Sequence, residues 1–387
     1  MKHKLIRIVS GLLMASVFVA ACSPAATTVA PTAVPATTVP ATVAPAASDT
    51  PAAAAATATT APAAGSFKGN VCEVTDTGGV DDKSFNALGW SGAQDAAKDV
   101  GSTAAYLESK QQTDYEKNIN EYLNGSKCGL IITVGFLLGD ATKAAATAHT
   151  DQKFQILDFA YSPDLPNVWG QVYATEQGAF LAGYVAASQS KTGKVGVFGG
   201  INIPPVADFE VGFQEGIQYY NTKHNAKVQL LGWDNAKKDG LFTGDFNDKD
   251  KGKQFAQNLL DEGADIIMPV AGPVGLGAAA AVKAAGNAML VGVDTDWFVS
   301  APEFQDIVLT SVQKRLDLSV RSAAKAIADG SFKGGTHVGT LSNGEIGIAP
   351  FHNFDSKVSQ GIKDELKQIQ ADIVSGAIKV DNFSSLK

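Results

Sequence analysis

From Val71 onward the chain repeats one pattern: a short β-branched run, a loop, then a segment whose apolar positions recur at helical spacing. VCEVTD precedes a predicted helix near 82–100, where Asp82 can cap the start, Phe85, Leu88, Gly92 and Ala96 share the inner face, and Gly101 ends it. The next helix opens on Thr113-Asp114-Tyr115-Glu116, a capping-box spacing, and stops at Gly125. GLIITVG, a helix near 140–150 and the strand FQILDF follow. A second series begins after Gln171 with a helix near 176–190, then alternates KVGVFGG, a helix near 206–221, VQLLGW, a helix near 250–262, ADIIMPV, a helix over 275–285 and MLVGVD. DIVLTSV returns to strand character, a helix over 316–328 follows, and a long helix near 355–375 ends the pattern.

Strands separated by roughly 15–25-residue helical connections imply parallel sheets with helices on both faces. Two such series predict an α/β protein of two doubly wound lobes. Ligands of such sheets bind outside the carboxyl ends of the strands. Those ends carry Thr75-Asp76-Thr77, Gly135-Phe136, Asp158-Phe159, Gly199-Gly200, Ala271-Gly272 and Asp294-Thr295-Asp296. Two facing rows of polar residues and glycines predict a receptor with its site in a cleft.

The first 66 residues break the pattern. MKHKLIRIVSGLLMASVFVAACS has a basic start and an apolar run from Ile8 to Ala21, the anatomy of an export signal and short for a membrane span. Val19-Ala20-Ala21-Cys22 resembles a lipobox, the bacterial lipoprotein cleavage site, which makes Cys22 the expected lipidated residue. Residues 23–66 are almost only Ala, Thr, Pro, Val and Ser and hold 7 of the chain's 15 prolines, so they can bury no core and form no long helix. They read as a disordered tether, spanning about 35–40 Å as a flexible coil. The expected organisation is signal (1–22), tether (23–66), lobe 1 over 67–173 with 300–335 returning to it, and lobe 2 over 174–299 with 345–387 returning to it. The protein is then expected on the extracytoplasmic side of a membrane, held there by its lipid alone.

Charge removes other classes. Setting aside Lys2, Lys4 and Arg7 of the leader and Asp49 of the tether, 28 basic residues face 38 acidic ones, a net charge of −10 for the body. Nucleic acid and anionic membrane are poor partners for so acidic a surface. With 45% hydrophobic and 18% charged residues, the body has the composition of a packed fold. Its two cysteines, Cys72 and Cys128, lie near the starts of predicted strands. In an exported protein they are either a disulfide or two buried thiols.

No feature argues for catalysis or a cofactor. There is no phosphate-binding GxxxxGK[ST], and Gly272-Pro273-Val274-Gly275-Leu276-Gly277 has the wrong spacing for a dinucleotide fingerprint. That run is either a tight turn or backbone approaching a ligand at a helix start. Gly89-Trp90-Ser91-Gly92 is no nucleophile elbow, no two carboxylates form an acid–base pair, and the five histidines are scattered without metal-ligand spacing.

TDTGGVDDKSFN, from Thr75 to Asn86 and followed by Trp90, resembles the opening motif of the basic membrane protein family, purine-nucleoside-receptor-like substrate-binding lipoproteins of ABC transporters. The likeness continues through GQVYATEQGAFLAGYVAA, KVGVFGG, PVADFEVGFQEGI, GDFNDKDKGKQFAQNLLDEGADIIMPVAG, VGVDTD and VLTSVQK, nearly all of 70–380. It implies a type I periplasmic-binding-protein fold: two α/β lobes, a three-crossing hinge, and closure on a ligand without catalysis. The implied partners are a nucleoside and an ABC permease with its ATPase, and one monomer supplies the whole cleft.

The resemblance places the base between Phe85 and Phe246, with Phe209 as the rival second ring. Base-edge contacts fall on Asn86 and Asp158, with Asp76 and Ser84 close by, since carboxylates and amides discriminate donor and acceptor edges. Ribose hydroxyls fall to Asp294, the Gly272 backbone and Lys314, with Asp296 as the fallback for Asp294. Trp297-Phe298 departs from the family, which more often has a polar continuation there, and bears on the rim of the cleft. Two other readings stay open on the same residues: a receptor for a sugar or another small polar solute, and a surface adhesin or signalling lipoprotein with a vestigial pocket.

Overall fold

Strands buried on both faces need apolar residues at every position rather than at alternate ones. Leu130, Ile131, Ile132 and Val134 in one such run are fully buried. The computed structural model describes residues 67–386 except Ser126. The signal, Cys22 and the tether lie outside the described residues.

The chain runs β1 (Asn70–Val74), α1 (Phe85–Asp99), β2 (Ala104–Leu107), α2 (Asp114–Gly125), β3 (Cys128–Val134), α3 (Gly139–Ala148), β4 (Phe154–Leu157) and β5 (Val168–Tyr173). It continues through α4 (Thr175–Gln189), β6 (Lys194–Gly199), α5 (Pro204–His224), β7 (Gln229–Leu231) and a small hairpin of β8 (Trp233–Asp234) and β9 (Asp239–Gly240). Then come α6 (Lys249–Asp261), β10 (Ile266–Val270), α7 (Val274–Ala285), β11 (Met289–Asp294), α8 (Trp297–Ser300) and β12 (Val308–Lys314). The last elements are α9 (Leu316–Ala328), β13 (Gly335–Gly339), β14 (Ile346–Ile348) and α10 (Gln360–Ser375).

Two six-stranded sheets result, ordered β13-β5-β4-β3-β1-β2 and β14-β12-β11-β10-β6-β7. The first is parallel throughout, and the second is parallel except for β14, which runs antiparallel to β12. The chain passes between lobes after Tyr173, after Lys314 and after Gly339. Two hydrogen bonds stitch these crossings together: Ala174 N–H to the Gly339 carbonyl and Arg315 N–H to the Glu345 carbonyl, each 2.8 Å.

The expected return of 300–335 to lobe 1 needs correction. β12 belongs to the second sheet, where VLTSV fills the buried position beside β11. Only α9, packed on α1, and β13 lie with the first sheet. The capping box at Thr113 is not formed either. Asp114 instead accepts the N–H groups of Lys110 (3.0 Å) and Gln111 (3.3 Å).

Cys72 and Cys128 form a disulfide between the neighbouring strands β1 and β3, with Cα atoms 5.9 Å apart and a sequence separation of 56. Closing a loop of that length stabilises by about 4 kcal/mol in the chain-entropy model. The Cys72→Ser/Cys128→Ser variant should lose about that much in urea unfolding, while reductant should leave it unchanged.

Candidate functional site

The carboxyl ends of both sheets face one cleft, which holds a cavity lined from both lobes. Lobe 1 supplies Asp76, Asp82, Phe85, Asn86, Phe136 and Asp158, and lobe 2 supplies Phe209, Phe246, Gly272, Asp294 and Lys314. Of the nine residues expected to contact ligand, eight line this cavity. Ser84 does not; it is buried behind the wall.

The loop after β1 is rigid because its acids are spoken for. Asp82 accepts the N–H groups of Ser84 (2.9 Å), Asn86 (2.8 Å) and Ala87 (3.0 Å), and so caps α1 as expected. Asp76 Oδ1 accepts Gly78 N–H and Asn86 Nδ2, both at 2.8 Å. The Asn86 amide also donates to Asp82 (3.0 Å), and its oxygen accepts Asp76 N–H (3.1 Å). Both Asn86 donors are therefore spent inside lobe 1. Asn86 fixes Asp76, and the carboxylate of Asp76 is the better placed of the two to meet a ligand edge.

Lys314, at the end of β12, is 1% exposed. Its ammonium pairs with Asp158 across the cleft at 2.7 Å and lies 5.1, 5.3 and 5.4 Å from the ring centres of Phe85, Phe209 and Tyr173. Asp158 follows β4 and Asp294 ends β11, one per lobe, and both take left-handed backbone at φ 66° and 65°. Such conformations cost non-glycine residues free energy and cluster at functional sites. The turn at Asp158 brings its carboxylate onto the lysine, whose charge also acts on Asp294.

Phe246 rides on a loop held by Asp245, which pairs with Lys251 (2.6 Å) and accepts the N–H groups of Asn247 (2.9 Å) and Asp248 (2.8 Å). Gly200 is required beneath it, because a Cβ there would lie 2.2 Å from the Phe246 ring. Phe209 also lines the cavity, so the two rival rings share one wall. Gly272 has φ 51°, and its N–H has no partner among the described residues.

A family model described as ABC transporter substrate-binding protein, PnrA-like (Bmp), matches residues 70–381. The chain belongs to the Bmp family. It is 32% identical over 328 residues to a CD4+ T-cell-stimulating antigen of Listeria monocytogenes, covering 80% of this chain and 87% of that protein. It is also 32% identical over 326 residues to the ABC transporter nucleoside-binding protein BmpA of Lactococcus lactis, covering 79% and 87%. The solved solute-binding protein of an ABC transporter system from Aeropyrum pernix K1 superposes with a TM-score of 0.71 at 25% identity, covering 80% of this chain and 92% of that one. The two-lobed architecture is thus that of the periplasmic-binding-protein type, and the family is one of solute-binding proteins.

Electrostatics distinguish this Bmp protein's cleft from an anion site. Four carboxylates (Asp76, Asp82, Asp158, Asp294) surround one ammonium. Burial lifts Asp76 to about 6 despite its hydrogen bonds from Gly78 and Asn86. Burial likewise lifts Asp294 to about 6, against the pull of Lys314 and the Ser84 hydroxyl. Asp82 and Asp158 are also raised by burial. Adding a phosphate here would bring further negative charge into a low-dielectric site that already disfavours it.

Asp296 is not an alternative to Asp294. It caps α8 through Phe298 N–H (3.1 Å) and pairs with His352 (2.7 Å), outside the cavity. Trp297 is not at the rim: it is fully buried, packs on Gly292 and donates its indole N–H to the Val293 carbonyl at 2.9 Å. Nothing in the sequence pattern assigned Ile203, Pro205, Val206 or Pro273 to the wall, although the paired prolines that open α5 mark where that helix must begin.

Proposed function

We propose that this Bmp protein is a lipid-anchored extracytoplasmic receptor that captures a purine nucleoside between its lobes and delivers it to an ABC permease. The observation that carries this reading is an interlobe cavity in which aromatic rings, carboxylates and a lysine paired with Asp158 converge from both lobes. The base stacks between Phe85 and Phe246, and its edge donates to Asp76. Stacking of this kind contributes about 1–3 kcal/mol per base in other proteins. The ribose hydroxyls donate to Asp294 and accept from Lys314 and the Gly272 N–H. A neutral, donor-rich ligand suits the acid-lined site, which disfavours nucleotides. The anchor rests on the lipobox at Cys22. No described helix is long and apolar enough to cross a membrane.

The test is thermal unfolding of ligand-stripped protein with nucleosides, nucleotides, free bases and sugars. A ligand at 100 times its Kd adds about 2.7 kcal/mol, read as a rise of several degrees. Purine nucleosides should stabilise, and free base, ribose and nucleotides should not. Phe246→Ala should weaken binding by about tenfold or more, the loss of one stacking face. Stabilisation by sugars alone would replace the nucleoside reading with a sugar receptor.

A further inference from the structure

We propose that Ser84 is a positioning residue rather than a ligand contact: its hydroxyl clasps lobe 1 to lobe 2 and orients Asp294 for the ligand. The inference rests on the nucleoside reading only for what Asp294 then holds.

A serine at the start of a helix ordinarily caps it. Ser84 stands directly before α1, yet its side chain makes no capping bond there. Asp82 has taken that task by accepting three N–H groups of the first turn. The Ser84 hydroxyl is thereby free to reach across the cleft, where it meets Asp294 Oδ2 at 2.6 Å and the Val293 carbonyl at 3.1 Å. The next residue on each side adds a second tie, from Thr295 Oγ1 to the Lys83 carbonyl at 3.1 Å. Loop 83–84 and strand end 293–295 are therefore joined by a two-part clasp, one part buried and one at the surface.

Both halves of the clasp carry a non-glycine residue in left-handed backbone, Lys83 at φ 61° and Asp294 at φ 65°. These turns point the Lys83 carbonyl and the Asp294 carboxylate at their partners. A hydrogen bond to a carboxylate is the stronger kind, and the fully buried Ser84 has no water to compete for it. With Oδ2 engaged by Ser84, rotation of the Asp294 carboxylate is restrained, and Oδ1, which accepts no hydrogen bond among the described residues, is left for a ligand. A fixed carboxylate can take both hydrogens of a cis-diol, whereas a rotating one loses that geometry.

Three proteins decide the matter: wild type, Ser84→Ala and Thr295→Val, all stripped of ligand. Hydrogen exchange is followed over segments 76–90 and 290–300, and affinity is measured for a purine ribonucleoside and its 2′-deoxy counterpart. Ser84→Ala should exchange faster in both segments, with a lower unfolding temperature from the buried acceptors left unpaired. It should bind the ribonucleoside about tenfold more weakly and show a smaller ribo-to-deoxy ratio. Thr295→Val breaks the outer tie without touching Asp294, so it should speed exchange and leave the ratio as in wild type. Unchanged exchange in both variants would overturn the clasp, and an unchanged ratio in Ser84→Ala would overturn the positioning role. Failure of wild type to bind any nucleoside would sink the nucleoside reading, while exchange would still report on the clasp.

Discussion

Replacing Lys314 with Met should cost the fold about 3–5 kcal/mol at pH 7 and abolish nucleoside binding. The lysine stem is buried and methionine nearly matches its shape, so the effect comes from charge rather than from a cavity. Without the ammonium, Asp158 loses its 2.7 Å partner, and Asp294 loses the neighbour that most favours its ionised form. Each carboxylate must then stay charged in a dry site or take up a proton. Adding Asp158→Asn should return much of the stability, because asparagine tolerates left-handed backbone and brings no charge. Binding should stay lost in the double variant, since neither a ribose oxygen nor Asp294 regains the cation. Urea unfolding and ligand titration of wild type and the two variants check this. A single variant as stable as wild type would show that the pair does not set the charge balance of the cleft.

Lys314 also shows how far sequence can be read. Strand and helix alternation was legible because parallel sheets demand long apolar runs, and β11 and α9 match their expected limits residue for residue. The edge strands β2, β13 and β14 are too short, at four, five and three residues, to stand out. The lobe boundary was misplaced because nothing local in VLTSVQK says which sheet β12 will join. A lysine ending a strand reads as a surface residue. Its burial depends on Asp158, 156 residues earlier, and on rings from three other elements. Only the family resemblance pointed to it. The same non-locality hid the roles of Asn86 and Ser84. Both residue types suit ligand contact, but their hydrogen bonds are already committed to Asp76, Asp82 and Asp294. Trp297 departs from the family at a place that looked like the rim, and its indole instead fills the space over Gly292 inside lobe 2.

Lowering the pH from 8.5 to 5.5 should stabilise the ligand-free protein by several kcal/mol while weakening nucleoside binding, and the opposite signs are the point of the test. Burial lifts Asp76, Asp208 and Asp294 to about 6 and Glu176 to about 8, so each binds its proton more tightly in the folded chain than in the unfolded one. Stability from such groups is complete below their unfolded values near 4 and is lost as pH rises through 6 to 8. Glu176, on α4 and outside the cavity lining, extends the window upward, as do the buried Glu73 and Glu210, both held well above the ordinary carboxyl value by desolvation. Ligand affinity follows another rule. A ribose diol needs Asp294 as a carboxylate, and a base edge needs the same of Asp76, so binding must expel protons below about 6. Affinity should therefore be flat above pH 7 and fall by about tenfold per pH unit for each proton expelled. Thermal unfolding and calorimetric titration across the range separate the two effects. If affinity instead rose as pH fell, the ligand would have to accept a hydrogen bond from a protonated Asp294 or Asp76, and the ribose and base assignments would exchange donors for acceptors.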